Sequence, residues 1–221
     1  VERSSRDGVA LARSRCERGG GITVAVLDRW AGDGEVRQLV RLAAWLADPD
    51  EAPGWDAVLA LLDGADADGV EHLVAAHRAT WAERWARCGV EVDGDPVAER
   101  AARFAVFHLL TTAPTEGEAA VGPRGVTGPA YGGHVFWDAD VFVQPALAAL
   151  EPAAARAMVE YRIRRVPAAR EIAAALGFDG ARFPWESAGD GTDVTPRSVD
   201  AGAGVTFTVT TGEDEAHIVA D

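Results

Sequence analysis

"HVFWDADVFVQPALAAL" (134–150) is apolar on nearly every side of a helical wheel, which predicts a helix buried within a layered helical body. Pro145 inside it calls for a kink, or for a helix that starts later than Phe136. Reading toward the C-terminus, Glu151–Pro152 opens a further helix to Arg165, and Pro167 opens another that stops at Gly177. Residues 179–210 lack both helical and strand periods; "VTFTVTTG" (205–212) is a hairpin arm or an extended loop, and "EDEAHIVAD" begins a helix. Reading toward the N-terminus, the Gly/Pro-rich stretch 114–134 exceeds ordinary loop length, which favours a functional loop over a connector. Before it, Asp95–Pro96 reads as cap and first residue of the helix "VAERAARFAVFHLLTTA", with Phe104, Phe107, Leu109 and Leu110 on its buried face. Val70–Arg87 is a longer helix with Asp68 as its cap, its apolar stripe running Val70, Leu73, Val74, His77, Trp81, Trp85. Trp55–Leu62 is a short one.

Residues 1–47 have strand character. "ALARSRC" (10–16) and "ITVAVLDRW" (22–30) flank a glycine run, Asp33–Gly34 is a tight-turn pair, and "RQLVRLAAWL" (37–46) is a third strand or a short helix, the strand being favoured by its neighbours. "DPDEAPG" (48–54) is a linker by composition. The domain reading is therefore 1–47 strands, 48–69 linker and short helix, and 70–221 a helical array. No fixed-period repeat marks a solenoid.

The 221 residues are 48% hydrophobic and 25% charged, which excludes collagen, disulfide scaffolds and wholly disordered chains. All 21 basic side chains are arginine, and 35 acids give a formal charge of -14. Such a surface repels phosphate backbones, so no nucleic-acid partner is expected. No apolar run reaches a membrane span and no opening signal peptide is read, so no membrane partner is expected. Cys16 and Cys88 are too few for a disulfide framework or a cysteine-based zinc site and fit a reducing compartment; a cytoplasmic location is the expectation.

Two Trp–carboxylate pairs carry the chemistry. His134, Trp137, Asp138 and Asp140 follow the "YGGH" loop, and Trp185–Glu186 stand in "FPWES" (183–187). An indole covers the apolar face of a sugar ring while a carboxylate accepts from neighbouring hydroxyls, so two converging pairs would suit a polyhydroxylated ligand. The bland alternatives are a buried Trp137 with Asp138 as a helix cap, and Trp185 anchoring a loop while Glu186 faces water. The arginines 162, 164, 165 and 170 could bind phosphate, but surface arginines balancing an acidic domain are the favoured reading. His134, Asp138 and Asp140 do not have the spacing of a metal-ligand set, and no metal is expected. Ser187 has no histidine nearby in sequence, so a hydrolytic triad is unsupported.

"GVTGPAYGGHVFWDADVF" (125–142) and "ARFPWESAGDGTDVTP" (181–196) resemble two motifs of glycoside hydrolase family 65. "RRVPAAREIAAALGFDGA" (164–181), "HRATWAERW" (77–85), "FAVFHLL" (104–110) and "TGEDEAHIVAD" (211–221) are similar to that family in the same order. Residues 1–47 resemble the end of the β-sandwich that precedes its catalytic domain. The resemblance implies a mainly α chain: part of an (alpha/alpha)6 barrel preceded by a short β segment from a β-sandwich domain. It implies an inverting phosphorylase of α-linked glucose disaccharides that releases β-glucose 1-phosphate, with inorganic phosphate as co-substrate and no other cofactor. The alternatives are an inverting, trehalase-like hydrolase and a non-catalytic carbohydrate-binding fragment.

By the same resemblance, Asp138 holds the glucosyl hydroxyls beside Trp137, Trp185 and Glu186 line that subsite, and His134 stands behind it or at its rim. Asp140 occupies a position where the family usually has glutamate, and Pro129 stands where glutamate is common. The general-acid glutamate, a Lys–Gln pair and the phosphate loops lie beyond the stretch resembling 211–221, so no catalytic residue is assigned here. The expected partners are an α-glucosyl disaccharide and the remainder of the catalytic domain, on the same or a separate chain. Self-association into a homodimer is another way to cover the open faces.

Overall fold

The computed structural model describes residues 1–16, 20–31, 37–48, 50–128, 130–196, 198–200 and 206–208. The chain divides into two compact units, Val1–Arg84 and Trp85–Asp221. The Asp33–Gly34 pair and the stretch 213–221 lie outside the described residues.

In the first unit β1 (Glu2–Arg6), β2 (Val9–Arg15), β3 (Gly21–Ala31) and β4 (Gln38–Asp48) form an antiparallel sheet in chain order. The expected three-stranded meander thus has a fourth strand. β1 carries no apolar alternation and all its residues are exposed, so periodicity does not reveal it. Its hairpin is set by Asp7–Gly8, whose φ values of 50° and 82° are the left-handed pair that a type I′ turn requires. The segment 37–46 is a strand, as favoured. Register places Leu11, Ala25 and Ala44 in one row, and these pack with Val9 against Val58 and Leu62 of α1 (Trp55–Asp68). α1 runs six residues past the expected Leu62, until Gly69 at φ 82° ends it. Asp68 is consequently the last residue of α1 and not the cap of the next helix.

α2 (Val70–Cys88) does not bury its predicted stripe. Val74 and His77 are exposed, and Cys88 is the residue it buries. In α3 (Pro96–Thr112) the Asp95 carboxylate accepts from the amides of Val97 and Ala98, and Pro96 occupies the first turn, as the sequence predicts. Val106 and Leu110 are buried, whereas Phe104 and Phe107 are exposed, contrary to the expected broad face. The reason is architectural. Helices of an α/α barrel bury both flanks only between neighbours, and this chain is part of such a barrel preceded by a β segment.

The 134–150 stretch is not one buried helix. It begins as β5 (Val135–Phe136), turns helical at Trp137, widens into a π-turn over Ala139–Val143, and continues as α4 (Gln144–Leu150). Pro145 falls where the π-turn passes into α4. Val141 and Phe142 are exposed; Ala139 and Leu147 are buried with Ala154, Ala155 and Met158 of α5 (Pro152–Arg164). α6 (Val166–Ala175) follows and contributes Ala169 to a small cluster with Ala181 and Phe183. β6 (Glu186–Ser187) pairs with β5, and β7 (Ser198–Asp200) pairs antiparallel with β8 (Thr206–Thr208), so the described part of the 205–212 segment is a strand; the rest of that segment lies outside the described residues.

Candidate functional site: a carboxylate and aromatic cavity

Two motifs fifty residues apart meet through the β5–β6 ladder, which sets Val135 opposite Ser187 and Phe136 opposite Glu186. The pairing continues where the Trp137 amide donates to the Trp185 carbonyl (3.3 Å), and the Trp137 indole N–H donates to the Phe183 carbonyl (3.2 Å). On the far side, the Val194 amide donates to the Glu186 carbonyl (3.1 Å) and the Glu186 amide to Thr195 Oγ1 (3.2 Å). The loop 188–195 therefore holds the "FPWES" backbone from behind.

The approach to β5 is a left-handed turn. Tyr131 and Gly132 have φ values of 65° and 58°, and the His134 amide closes the turn onto the Tyr131 carbonyl at 2.8 Å. At Gly132 a Cβ would stand 3.2 Å from His134 Nε2, so glycine answers both the backbone sign and the close ring. His134 Nδ1 meets Glu186 Oε1 at 2.6 Å. With Glu186 as a carboxylate, which only accepts, Nδ1 is the donor of this bond. Glu186 is 6% exposed, and this bond meets the demand of its buried oxygen.

Above this layer is a cavity of about 340 Å³, with Asp138, Tyr131, Phe136, Phe142 and Trp185 in its wall. That lies at the small end of the ~300–1,000 Å³ usual for small-molecule sites. Three rings stack edge to face along it: Tyr131 on Phe136 at 5.4 Å and Phe136 on Trp185 at 5.0 Å. Trp185 is 39% exposed. Asp138 is exposed, already helical in φ and ψ, and makes no side-chain cap bond, so the helix-cap explanation of this residue does not hold.

The six sequence candidates thus take distinct places. Asp138 and Trp185 face the cavity. His134 and Glu186 pair beneath it, so Glu186 faces neither water nor the cavity wall. Trp137 is tied to the "FPWES" backbone, and Asp140 is engaged by Arg162. Arg162 is the residue that sequence reasoning misassigns to the surface; its side chain is 13% exposed. Arg165 is likewise a structural tie, donating to the Gly189 carbonyl (2.9 Å) and lying 3.9 Å over the buried Tyr161 ring. Arg164 pairs with Glu118. Among the described residues no group of three or more His, Cys, Asp or Glu could hold a metal ion, and no helix is long and apolar enough to cross a membrane.

The glycosyl hydrolase family 65 central catalytic domain matches residues 103–221, more than half of the chain. The chain belongs to glycosyl hydrolase family 65. Its family 65 relatives include a kojibiose phosphorylase of Halothermothrix orenii, 36% identical over 169 residues, which are 75% of this chain and 22% of that protein. A kojibiose hydrolase of Mucilaginibacter mallensis is 42% identical over 129 residues, 58% of this chain and 19% of that protein. A solved human-microbiome protein, provisionally named a kojibiose phosphorylase, superposes with a TM-score of 0.75 at 18% identity, over 87% of this chain and 29% of its own. That likeness establishes the shared fold. The chain spans about a fifth of the length of the curated relatives it matches.

Proposed function

We propose that the chain supplies part of the glucosyl-binding subsite of an inverting phosphorylase of α-linked glucose disaccharides, which releases β-glucose 1-phosphate. The observation that carries this reading is the Asp138 carboxylate, exposed and uncommitted to a helix cap, on one cavity wall with Trp185 and Phe136. A pyranose presents apolar C–H faces and a rim of hydroxyls. The rings cover the faces, and an ionised carboxylate accepts from two adjacent hydroxyls in charge-assisted bonds. Glu186 and His134 act beneath the wall by fixing the turn that delivers Tyr131 and the strand that delivers Trp185.

Inversion needs a proton donor at the leaving oxygen and a nucleophile on the opposite face of the ring. Neither role is given to a residue of this chain; both are placed in the remainder of the family 65 catalytic domain. Kojibiose is the first substrate to offer, because relatives of both reaction types carry its name. The hydrolase of Mucilaginibacter mallensis, at 42% identity, keeps a second reading in play, in which activated water replaces phosphate.

The test is to incubate the full-length polypeptide with kojibiose, maltose, nigerose or trehalose, with and without inorganic phosphate. Phosphate-dependent β-glucose 1-phosphate supports the phosphorylase. Glucose release without phosphate supports the hydrolase. No turnover of any α-glucoside, with sugar still bound, leaves a carbohydrate-binding protein and overturns both.

A further inference from the structure

We propose that the Arg162–Asp140 ion pair is a positioning device of this site: it aims the Asp138 carboxylate and the Trp185 strand at a common ligand. The inference rests on the glucosyl-subsite reading above. Arg162 belongs to α5, yet its guanidinium reaches both segments that carry the site. Nε and Nη2 donate to the Asp140 carboxylate at 3.0 and 2.6 Å, with Nε also 3.2 Å from the second oxygen. Nη1 donates to Ser187 Oγ at 3.3 Å, and Nη2 reaches the Phe136 carbonyl at 3.5 Å. Ser187 Oγ passes the chain on to the Val135 carbonyl at 3.3 Å. One planar group therefore braces β5, β6 and the turn after Asp138. The Tyr161 and Phe183 rings lie 5.8 and 5.6 Å from its centre.

Asp140 sits in the π-turn that begins one residue after Asp138, closed by the Gln144 amide on the Ala139 carbonyl. π-turns widen a helix by one residue and occur often at functional sites. Here the Arg162 guanidinium fixes the widened turn against the β5–β6 ladder, which ends at Phe136, two residues before Asp138. Two guanidinium nitrogens converge on Asp140 Oδ2 while Nη1 still reaches Ser187, a spread of donors along one rigid plane that a lysine ammonium does not offer. Arg156–Glu160, on the same helix, shows what an ordinary surface pair looks like: an i,i+4 contact with the arginine side chain 81% exposed.

The experiment uses the full-length polypeptide and the disaccharide that it turns over. Asp140→Asn and Arg162→Lys should each raise KM about tenfold or more, with kcat changing less, because the group being misaimed binds the ground state. Asp140→Glu, which keeps the carboxylate, should recover most of that loss. Arg156→Ala should change neither constant. If Asp140→Asn and Arg162→Lys fold and keep KM within about twofold of the parent, the proposal is wrong. Should Arg162→Lys fail to fold, Asp140→Asn decides alone. If neither folds, the pair is a stability element and the proposal also falls. Asp138→Asn separates the two levels. An Asp138→Asn variant with parental constants overturns the subsite reading itself, whereas a damaged Asp138→Asn beside a parental Asp140→Asn overturns only the positioning role.

Discussion

In the Val1–Arg84 unit, charge stays outside. Arg6–Asp56 and Arg41–Asp28 pair in the open, and Arg29 reaches the half-buried Asp66, around an interior of Val9, Leu11, Ala25, Ala44, Val58 and Leu62. The exception is Arg13, which is 9% exposed, lies 4.0 Å over the Trp55 ring and donates to Thr23. The Trp85–Asp221 unit has exposed pairs too, such as Arg156–Glu160, but it also draws charge inward beside the segments that carry the cavity: Glu186 on His134, and Arg162 on Asp140 and Ser187. Burying ions is a poor way to gain stability, since desolvation offsets the attraction. Apolar packing would hold those segments as well. The difference teaches that the first unit is built for cohesion, and that the polar interior of the second sets the direction of particular groups.

The widest test of that contrast removes packing from both regions. Leu62→Ala and Leu147→Ala each empty a fully buried site and should each cost about 2–5 kcal/mol in chemical unfolding. Next, charge removal should separate the regions. Glu186→Ala strands the His134 ring and should cost roughly 1–3 kcal/mol, while Arg41→Ala, on an exposed pair, should leave the unfolding midpoint in place. Loss of a cap comes third: Asp95→Ala should cost about 1 kcal/mol by freeing two amides at the start of α3.

The smallest effect is in alkali. Burial raises the Tyr161 phenol above its ordinary pKa, against the pull of the Arg165 and Arg162 guanidiniums. A raised value means that the folded chain favours the neutral phenol. That contribution is whole below the ordinary value of about 10 and is lost as pH climbs through the raised one. The unfolding midpoint should fall as pH rises above about 10, and Tyr161→Phe should flatten the fall.

What could be read from the sequence was local. The β-branched run of "ITVAVLDRW" marks β3, Asp95–Pro96 marks the start of α3, and the spaced motifs mark the family. β1 escaped because "ERSSR" has no apolar period, although Asp7–Gly8 was a usable hairpin signal. The stripe on α2 and the ring pair Phe104 and Phe107 have helical spacing, but burial depends on neighbouring helices that spacing does not supply. The π-turn after Asp138 has no signature in residue type. Nor could local period show that Arg162 leaves the surface to grip Asp140, 22 residues away, and Ser187, 25 residues away.

The central claim is that Asp138, on the wall with Trp185, holds the glucosyl hydroxyls. Its most direct test is kcat/KM of Asp138→Asn against the parent in the full-length polypeptide, on the α-glucoside that it turns over, with the thermal midpoint recorded on the same samples. The account predicts a fall of about a hundredfold or more at an unchanged midpoint, since the amide keeps the shape but loses the charge that two hydroxyls share. An unchanged kcat/KM in the folded variant would contradict it.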